Sequence, residues 1–376
     1  MANEWLGMLG WVLHLVCFVQ HWSSTDAWGL LAHERIAKIA ENLLRGKRKD
    51  QVRAILHGDL LDYADWEKKM TDRHPETSVL HWHHQDPEWN CMSTLGDHEH
   101  LRCDQAKSAE QGSLFCALAF FFEHFTHDAL LREFPEPKEP INTPKSLPSL
   151  ESVTSLELTP AHYLRWLVGL IGDLHQPLHW LRQHDYGRDI TVVYKDRPYK
   201  LLEFWEDELP KYLPAIPDAK TLQEEYDERE HSWGHRLPTE LFRHWAKESA
   251  EVVCSQVYQG MEVNHADGTR KIDDPYHLDE EVLQRWVKLA SDFTTLAGER
   301  LAFVLLDILE HKRHKAAHRE GRGHRHRHKR HMQNLGINII VAVILVPLLL
   351  KLLHWHFKLG SSFNIFALLG MEKGKV

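Results

Sequence analysis

The sequence lacks a surplus of positive charge and lacks any N-glycosylation site. Its formal net charge at pH 7 is −9, and a basic C-terminal segment leaves residues 28–310 more acidic still. A domain this acidic does not bind a polyanion through a broad basic face. An anionic ligand would have to be attracted by bound cations or by a small local site. No Asn-x-Ser/Thr triplet with a permitted middle residue occurs, so N-glycosylation is not expected.

Cysteine is scarce, with 5 residues in a chain of 376. One of them lies in residues 1–27, which we predict to be a signal peptide because an apolar stretch precedes the cleavage-like triplet Thr25-Asp26-Ala27. Cleavage there would free the α-amine of Trp28, which can chelate a metal ion together with its own carbonyl. The four remaining cysteines could form two disulfides in three ways; they are Cys91, Cys103, Cys116 and Cys254.

Strand-like patterns are nearly absent, and only residues 189–194 alternate as a strand would. With 43% hydrophobic residues and 14 tryptophans, the chain is globular rather than disordered. We therefore expect an all-α fold in which residues 28–310 form a single large helical domain. Residues 134–160 are rich in proline and are expected to form an exposed loop. Four helices are predicted. The first has an apolar face from Ile36 to Leu44, and the second covers 161–171 after Thr159 as N-cap and Pro160 at the first helical position. The third is capped by Thr239, and the fourth covers 282–310.

The C-terminal part has a different composition. Residues 311–335 are dominated by histidine and basic residues, which cannot build a core, so we predict a disordered tether. Such a tether could also bind zinc, phosphates or anionic lipid. Residues 336–355 are apolar enough for a transmembrane or membrane-anchoring helix, with an interfacial helix as the alternative, and residues 356–376 form a short tail. The sequence thus predicts a membrane-anchored protein whose domain is extracellular or in an endomembrane lumen.

Residues of metal-ligand type cluster in five places within the domain. The most specific is Gly-Asp-Leu-His-Gln-Pro-Leu-His at 172–179, where Asp173 ends an apolar helix. A buried carboxylate is costly unless it is paired or binds a metal, and zinc accepts mixed imidazole and carboxylate ligands. The five places are Trp28 with His33, Asp65, His81, Asp173 with His179, and the acidic run Glu203-Phe204-Trp205-Glu206-Asp207.

Together these motifs resemble the type I zinc nucleases of moulds and plants, the nuclease S-one/P-one family, which shares its all-α fold with bacterial zinc phospholipase C. The likeness covers most of residues 28–310, including the Trp-Gly start, the Ala-Asp and Leu-His-aromatic motifs and the segment 297–302. It implies up to three Zn²⁺ ions in a cleft. It also implies hydrolysis of single-stranded DNA or RNA to 5′-phosphates, often with 3′-nucleotidase activity.

By position, the resemblance implies a close pair of zinc ions. Trp28, through its amine and carbonyl, and His33 would bind one ion, while Asp65 and His81 would bind the other. Asp173 would bridge the two. Two adjacent zinc ions lower the pKa of a shared water and hold it in line with phosphorus.

The resemblance also implies three residues that act on the substrate. Lys68 matches a basic position that can steady the transition state; the alternative is a surface lysine beside Lys69. Trp82 matches an aromatic ring that stacks on a nucleobase; the alternative is packing in the core. His84 or Gln85 stands at the position of a base-contacting acid, and we take His84 as the candidate.

The third zinc site departs from the family pattern. His179 would be one ligand, but the family motif Leu-His-x-x-Trp-Asp is altered. Anchoring on the tryptophan places Leu202 at the histidine and Glu206 at the aspartate. A shift by one residue instead offers Glu203 and Asp207.

A further departure is Gly169, which stands where the family has a histidine four residues before the bridging aspartate. His83 or His84 could take its place. Alternatively the metal sites have decayed, leaving a zinc-binding membrane ectodomain with one or two ions and an interaction role. A lipid phosphodiester hydrolase is the third hypothesis. We expect a zinc-dependent nuclease acting on single-stranded nucleic acid or nucleotides.

Overall fold

The computed structural model describes residues 28–83, 91, 103, 114–126, 147, 159–233, 238–340 and 351–352. The predicted signal peptide, most of the predicted loop at 134–160 and the tail at 356–376 lie outside these ranges.

Helices make up most of the described chain, in agreement with the predicted all-α class. The α-helices are α1 (Leu30–Leu43), α2 (Lys47–Leu56), α3 (Trp66–Arg73), α4 (Leu114–Thr126), α5 (Pro160–Leu174), α6 (Leu201–Glu203), α7 (Ala219–Trp233), α8 (Pro238–Val252), α9 (Gln259–Met261) and α10 (Glu280–Ile340). Short 3₁₀ segments cover Leu60–Tyr63, Pro75–His81, Pro177–His179, Gln183–Gly187 and Leu209–Tyr212, and π-helical turns cover Phe204–Glu208 and Val253–Tyr258.

Short strands are more numerous than the sequence predicts. The predicted strand appears as β1 (Thr191–Tyr194), which pairs antiparallel with β2 (Arg197–Lys200) and parallel with β5 (Tyr276–His277). A separate hairpin joins β3 (Glu262–Asn264) to β4 (Arg270–Ile272). The prediction of a single strand was wrong because the additional strands have only two to four residues and are mostly exposed. They are too short to show alternation.

Helix α5 begins where its sequence predicts. The Thr159 side chain accepts a hydrogen bond from the backbone N–H of His162 at 3.4 Å, and Pro160 occupies the first helical position. From Trp166 to Leu174 every residue of this helix is buried. Helix α8 starts at Pro238, two residues earlier than a helix capped by Thr239 would, so Thr239 lies inside it rather than capping it.

The core is continuous around α5. Helix α4 packs on it through Phe121, whose ring stacks on Trp166 at 5.3 Å between centroids. Helix α10 approaches α1 closely at Gly298, where an added Cβ would lie 2.6 Å from Ile39 Cβ. A glycine is required there because these two helices would otherwise be pushed apart.

Two disulfides resolve the three pairings that the sequence left open. Cys91 pairs with Cys254, 163 residues away, and Cys103 pairs with Cys116, 13 residues away.

The chain divides into two compact units, Met1–Lys312 and Arg313–Val376. The backbone of α10 is helical through residues 311–335, where the composition predicts disorder. This segment contains no proline and is rich in straight-chain residues of good helix propensity. In the part of the chain that the structure describes, none of the helices is both long and apolar enough for a membrane span. Residues 341–350 and 353–355 of the predicted membrane segment lie outside the described ranges.

Candidate metal centre

Helix α5 carries two glycines and one carboxylate on a single face near its C-terminal end. Gly169, Gly172 and Asp173 follow the spacing i, i+3 and i+4, which places them side by side. An added Cβ at residue 172 would lie 2.7 Å from His33 Cε1, and one at residue 169 would lie 1.7 Å from Glu67 Oε2. The two glycines thus make room for an imidazole from α1 and a carboxylate from α3 beside Asp173.

Four buried side chains meet at this face. His81 Nδ1 lies 2.9 Å from Asp173 Oδ2 and 3.0 Å from Glu67 Oε1. His33 Nε2 lies 3.4 Å from Asp173 Oδ1. Ligand atoms of Glu67, His81 and Asp173 lie within 4.8 Å of one another. Two imidazoles and two carboxylates that converge inside a core are typical of a metal site.

The electrostatics of this cluster favour positive charge. Burial would lower the pKa of His81, but its contacts with Glu67 and Asp173 outweigh burial and raise that pKa to about 10. Burial, reinforced by the charge of Asp173, raises the pKa of Glu67 to about 7. Burial would also raise the pKa of Asp173, but its contacts with the His33 and His81 imidazoles hold that pKa well below its usual range. The same field that holds protons here attracts a divalent cation.

The His81 ring is oriented from its far side by threonines. Its Nε2 lies 2.9 Å from Thr71 Oγ1, which is 3.3 Å from Thr77 Oγ1. Thr77 in turn donates to the carbonyl of His74 at 2.8 Å. These bonds hold Nδ1 toward the carboxylates, as outer hydrogen bonds do for metal-binding histidines.

A second donor pair consists of His179 and Glu206, each on a short helical turn. His179 Nδ1–H donates to the carbonyl of His81 at 2.9 Å, and burial lowers the pKa of His179 to about 3. The ring is therefore neutral and presents the lone pair of Nε2. This Nε2 lies 3.5 Å from Glu206 Oε1 and accepts no hydrogen bond from the described residues. The Nε2 lone pair and the Glu206 carboxylate oxygen are therefore close enough to bind the same cation.

The start of the domain lies beside Glu206. The Gly29 N–H donates to the carbonyl of Glu206 at 3.2 Å, and the Trp28 ring packs on Trp205 at 6.2 Å. An added Cβ at residue 29 would lie 2.2 Å from the same carbonyl oxygen, so only glycine permits this approach. The backbone of Trp28 is thereby held close to the second donor pair.

His175 belongs to the same motif but faces away from both donor groups. Its Nδ1–H donates to the carbonyl of Ile171 at 2.7 Å, and its Nε2 accepts from Arg300 Nη1 at 2.8 Å. Burial, followed by the charge of Arg300, lowers its pKa well below the usual range. Arg300 also donates to Glu248. His175 therefore ties α5 to α10 as a neutral structural residue.

Comparisons with known proteins identify the family of this chain. The family model described as S1/P1 Nuclease matches residues 28–310. The chain belongs to the S1/P1 nuclease family. Nuclease S1 of Aspergillus oryzae (strain ATCC 42149 / RIB 40) is 24% identical to it over 255 residues, which cover 62% of this chain and 77% of that relative.

Membership of the S1/P1 nuclease family makes the protein a hydrolytic nuclease of a zinc-dependent class. The donor set fits zinc on its own chemistry. Asp173 Oδ1, Glu67 Oε2 and His179 Nε2 are buried and make no hydrogen bond to the described residues. Imidazole nitrogen and carboxylate oxygen are both zinc ligands, so these atoms are the ones a zinc ion would satisfy.

The structure brings together most of the predicted ligands of this nuclease but leaves Asp65 aside. Asp65 Oδ2 lies 2.6 Å from Lys69 Nζ at the surface end of α3, and no described contact links it to His81. Lys68 is exposed on the same helix. Glu67, two residues after Asp65, is the α3 carboxylate that reaches the cluster.

Trp82 is packed rather than open in the structure. Its ring centroid lies 4.1 Å from that of His179 and 4.9 Å from that of Tyr186. The Arg188 guanidinium carbon lies over the ring, 4.4 Å from its centroid. Only 5% of Trp82 is exposed. The described arrangement therefore matches the core-packing alternative, and His84, its predicted neighbour in substrate binding, lies outside the described residues.

The location of each candidate replacement ligand shows which of them can reach the two donor groups. His83 stacks on Trp180 at 4.9 Å and is not part of the Glu67 cluster. Leu202 is buried and apolar, and Glu203 and Asp207 are exposed. Of the acidic residues in this segment, Glu206 is the one that faces His179.

Two residues of the site escaped the sequence reasoning. Glu67 shares the buried face of α3 with Met70 at i+3, and this spacing was the available signal. Arg188 lies over Trp82, and its charge contributes to the low pKa of His179. The sequence motif gave no reason to select it.

Proposed function

We propose that the protein is a zinc-dependent phosphodiesterase that cleaves single-stranded DNA or RNA to 5′-phosphates, with 3′-nucleotidase activity as a related reaction. The observation that carries this proposal is the buried cluster of Glu67, His81, Asp173 and His33, with His179 and Glu206 as a second donor pair. Family membership supports a nuclease, and the donor geometry supports metal-assisted hydrolysis.

The ligands divide between the two donor groups. Asp173 with His33, His81 and Glu67 would hold zinc at the first group, and His179 with Glu206 would hold it at the second. The amine and carbonyl of Trp28, freed by cleavage after Ala27, would add donors. When bound, zinc supplies Lewis-acid activation of water and neutralises charge on the phosphoryl oxygens. Up to three ions are proposed.

The protein side chains fix this arrangement. Asp173 stays ionised because its pKa is held low, so it presents constant negative charge between the two histidines. His81 connects both groups, because its ring contacts Asp173 while its carbonyl orients His179. Such preorganised contacts are the main contribution that a protein makes to metal-assisted catalysis.

The substrate would be attracted locally rather than by the whole surface. The chain is acidic overall, with a net charge of −9, so long duplex DNA finds no broad basic face. Arg188 supplies positive charge beside His179. The Arg188 guanidinium covers the Trp82 ring, so a nucleobase would stack on Trp82 only after the Arg188 side chain has turned toward a phosphate. Lys68 would stabilise the negative charge of the transition state.

We propose a location in the secretory pathway. Two disulfides support an oxidising compartment, and the predicted signal peptide at 1–27 is consistent with it. The membrane segment at 336–355 stays a prediction from the sequence.

The competing hypothesis is a degenerate zinc-binding ectodomain, and Leu202 favours it because a buried leucine offers no ligand. The presence of Glu67 beside Gly169 favours the enzyme, since the space left by one missing ligand holds another donor. A lipid phosphodiester hydrolase would use the same cluster on a different substrate.

The test uses the full chain with zinc. Bound zinc is counted by elemental analysis, and cleavage is measured on a single-stranded oligonucleotide and on phosphatidylcholine vesicles. We expect bound zinc, cleavage of the oligonucleotide and its loss in Asp173→Asn. Asp72→Asn removes an exposed carboxylate of α3 and should match the wild type. Folded, zinc-loaded protein without cleavage would support the degenerate hypothesis, and cleavage of lipid alone would support the third.

A further inference from the structure

Glu67 is the least expected residue of the cluster. Only 3% of it is exposed, although α3 otherwise carries mostly charged, exposed residues. Its Oε1 lies 3.0 Å from His81 Nδ1, but that nitrogen already bonds Asp173 at 2.9 Å. Its Oε2 makes no hydrogen bond to the described residues. A carboxylate buried in this way loses its hydration without full compensation unless a cation takes its place.

The position of this carboxylate depends on Gly169. An added Cβ at residue 169 would lie 1.7 Å from Glu67 Oε2, 2.6 Å from Cδ and 3.1 Å from Cβ of Glu67. Contacts this short involve the whole side chain, so a rotation of the carboxylate alone would not relieve them. Any residue larger than glycine at 169 would therefore displace Glu67 from Asp173 and His81.

The same position also determines which donor atom reaches the cluster. Asp173 follows residue 169 by four positions, so a side chain at 169 would project toward the same point as Asp173. A glycine there removes the donor from α5, and Glu67 supplies one from α3. The two residues depend on each other, because the Glu67 carboxylate can occupy this place only when residue 169 has no side chain.

We propose that Glu67 and Gly169 form a matched pair that makes Glu67 a metal ligand, and that the resulting set of two carboxylates and two imidazoles narrows the preference of this site for Zn²⁺ over Mn²⁺. This inference rests on the proposed function, since it concerns the metal of the same site.

Ligand chemistry gives the direction of the effect. Carboxylate oxygens suit Mn²⁺ and other hard cations, whereas imidazole nitrogens favour Zn²⁺. Zn²⁺ still binds more tightly in absolute terms, because the affinity order of divalent ions places Mn²⁺ lowest. The measurable consequence is therefore the ratio of the Zn²⁺ affinity to the Mn²⁺ affinity. That ratio should rise when the carboxylate of Glu67 is replaced by an imidazole at residue 169.

The test compares three variants of the full chain with the wild type. Glu67→Gln keeps the volume of the side chain and removes its charge. The double variant Glu67→Ala with Gly169→His exchanges the carboxylate for an imidazole. Asp72→Asn is the matched control, because it removes an exposed carboxylate from the same helix. Circular dichroism establishes folding, and equilibrium dialysis with elemental analysis gives the Kd of Zn²⁺ and of Mn²⁺ for each protein.

We expect Glu67→Gln to weaken the binding of both ions by on the order of tenfold or more, which is the loss of affinity typical of changes around a metal site. The double variant should recover Zn²⁺ but not Mn²⁺, so its affinity ratio rises, and Asp72→Asn should match the wild type. Glu67→Gln with wild-type affinity for both ions would overturn the proposal, and so would a folded double variant with an unchanged ratio. Wild-type protein that binds neither ion would overturn the proposed function as well, whereas metal binding without dependence on Glu67 overturns this inference alone.

Discussion

Replacing Gly172 by alanine tests how the cluster is held together. An added Cβ would lie 2.7 Å from His33 Cε1 and 2.8 Å from its Nδ1, well inside van der Waals contact. His33 must then move, and its Nε2 can no longer stay 3.4 Å from Asp173 Oδ1. The substitution therefore acts on stability and on metal binding at once.

The expected loss of stability can be worked out from two opposing effects. Alanine gains about 1 kcal/mol over glycine inside a helix, while overpacking of a core costs about 1–3 kcal/mol. Residue 172 lies in a fully buried stretch of α5, so we take the upper part of that cost. The net destabilisation is about 1–2 kcal/mol, which corresponds to a decrease in Tm of about 2–8 °C for a domain of this size.

Thermal denaturation by circular dichroism, with and without added zinc, measures both effects. Gly260→Ala is the matched control, because no atom lies within 4 Å of the Cβ that it adds. That control should keep or raise the Tm. Gly172→Ala should lower the Tm and reduce the increase in Tm that zinc produces. A Gly172→Ala protein with the wild-type Tm and the wild-type response to zinc would refute the close contact between His33 and residue 172.

Chelation of zinc should lower the Tm, because free zinc at 100 times its Kd stabilises the native state by about 2.7 kcal/mol; calorimetry before and after EDTA measures this, and an unchanged Tm would contradict zinc binding. Arg188→Ala should raise the KM for a single-stranded oligonucleotide with zinc content unchanged, whereas the exposed Arg285→Ala should leave the KM as it is. Equal KM values for the two variants would remove Arg188 from the substrate site. Loss of the disulfide that closes 163 residues, by Cys254→Ser, should cost about 5 kcal/mol, against about 3 kcal/mol for the 13-residue link in Cys103→Ser. Urea denaturation gives both values, and the reverse order would show that loop closure does not dominate.

The fold could be predicted where local signals are strong. Thr159 and Pro160 mark the start of α5, and the apolar periodicity of α1 and α10 identifies their buried faces. Strands β2 to β5 escaped prediction because they have only two to four residues and are mostly exposed. In addition, β5 is held by a partner distant in sequence, since Tyr276 pairs with Val192. Disulfide pairing likewise depends on tertiary proximity, which composition does not contain.

The candidate site was predictable in part. His33, His81 and Asp173 were selected from motifs, and the structure places them together; His179 and Glu206 were selected and face one another. Their binding of metal stays a prediction.

Glu67 was missed because its role depends on a contact across 102 positions in the chain, with Gly169. At the start of α3, the motif pointed to Asp65, which instead pairs with Lys69. The spacing of α3 alone does not tell which of two nearby carboxylates turns inward. The buried Met70 at i+3 from Glu67 carries that information only when burial is known.

The steric conflict at residue 169 restricts the mutational routes by which such a site can change. A chain with an imidazole at residue 169 has no room for an inward Glu67, since even a Cβ at 169 would lie 1.7 Å from Oε2. An exchange of one donor for the other by single substitutions therefore passes either through a chain that lacks one donor or through one in which residue 169 supplies the donor and Glu67 is displaced. Relatives that carry both residues, histidine at 169 and glutamate at 67, are expected to direct that glutamate to solvent.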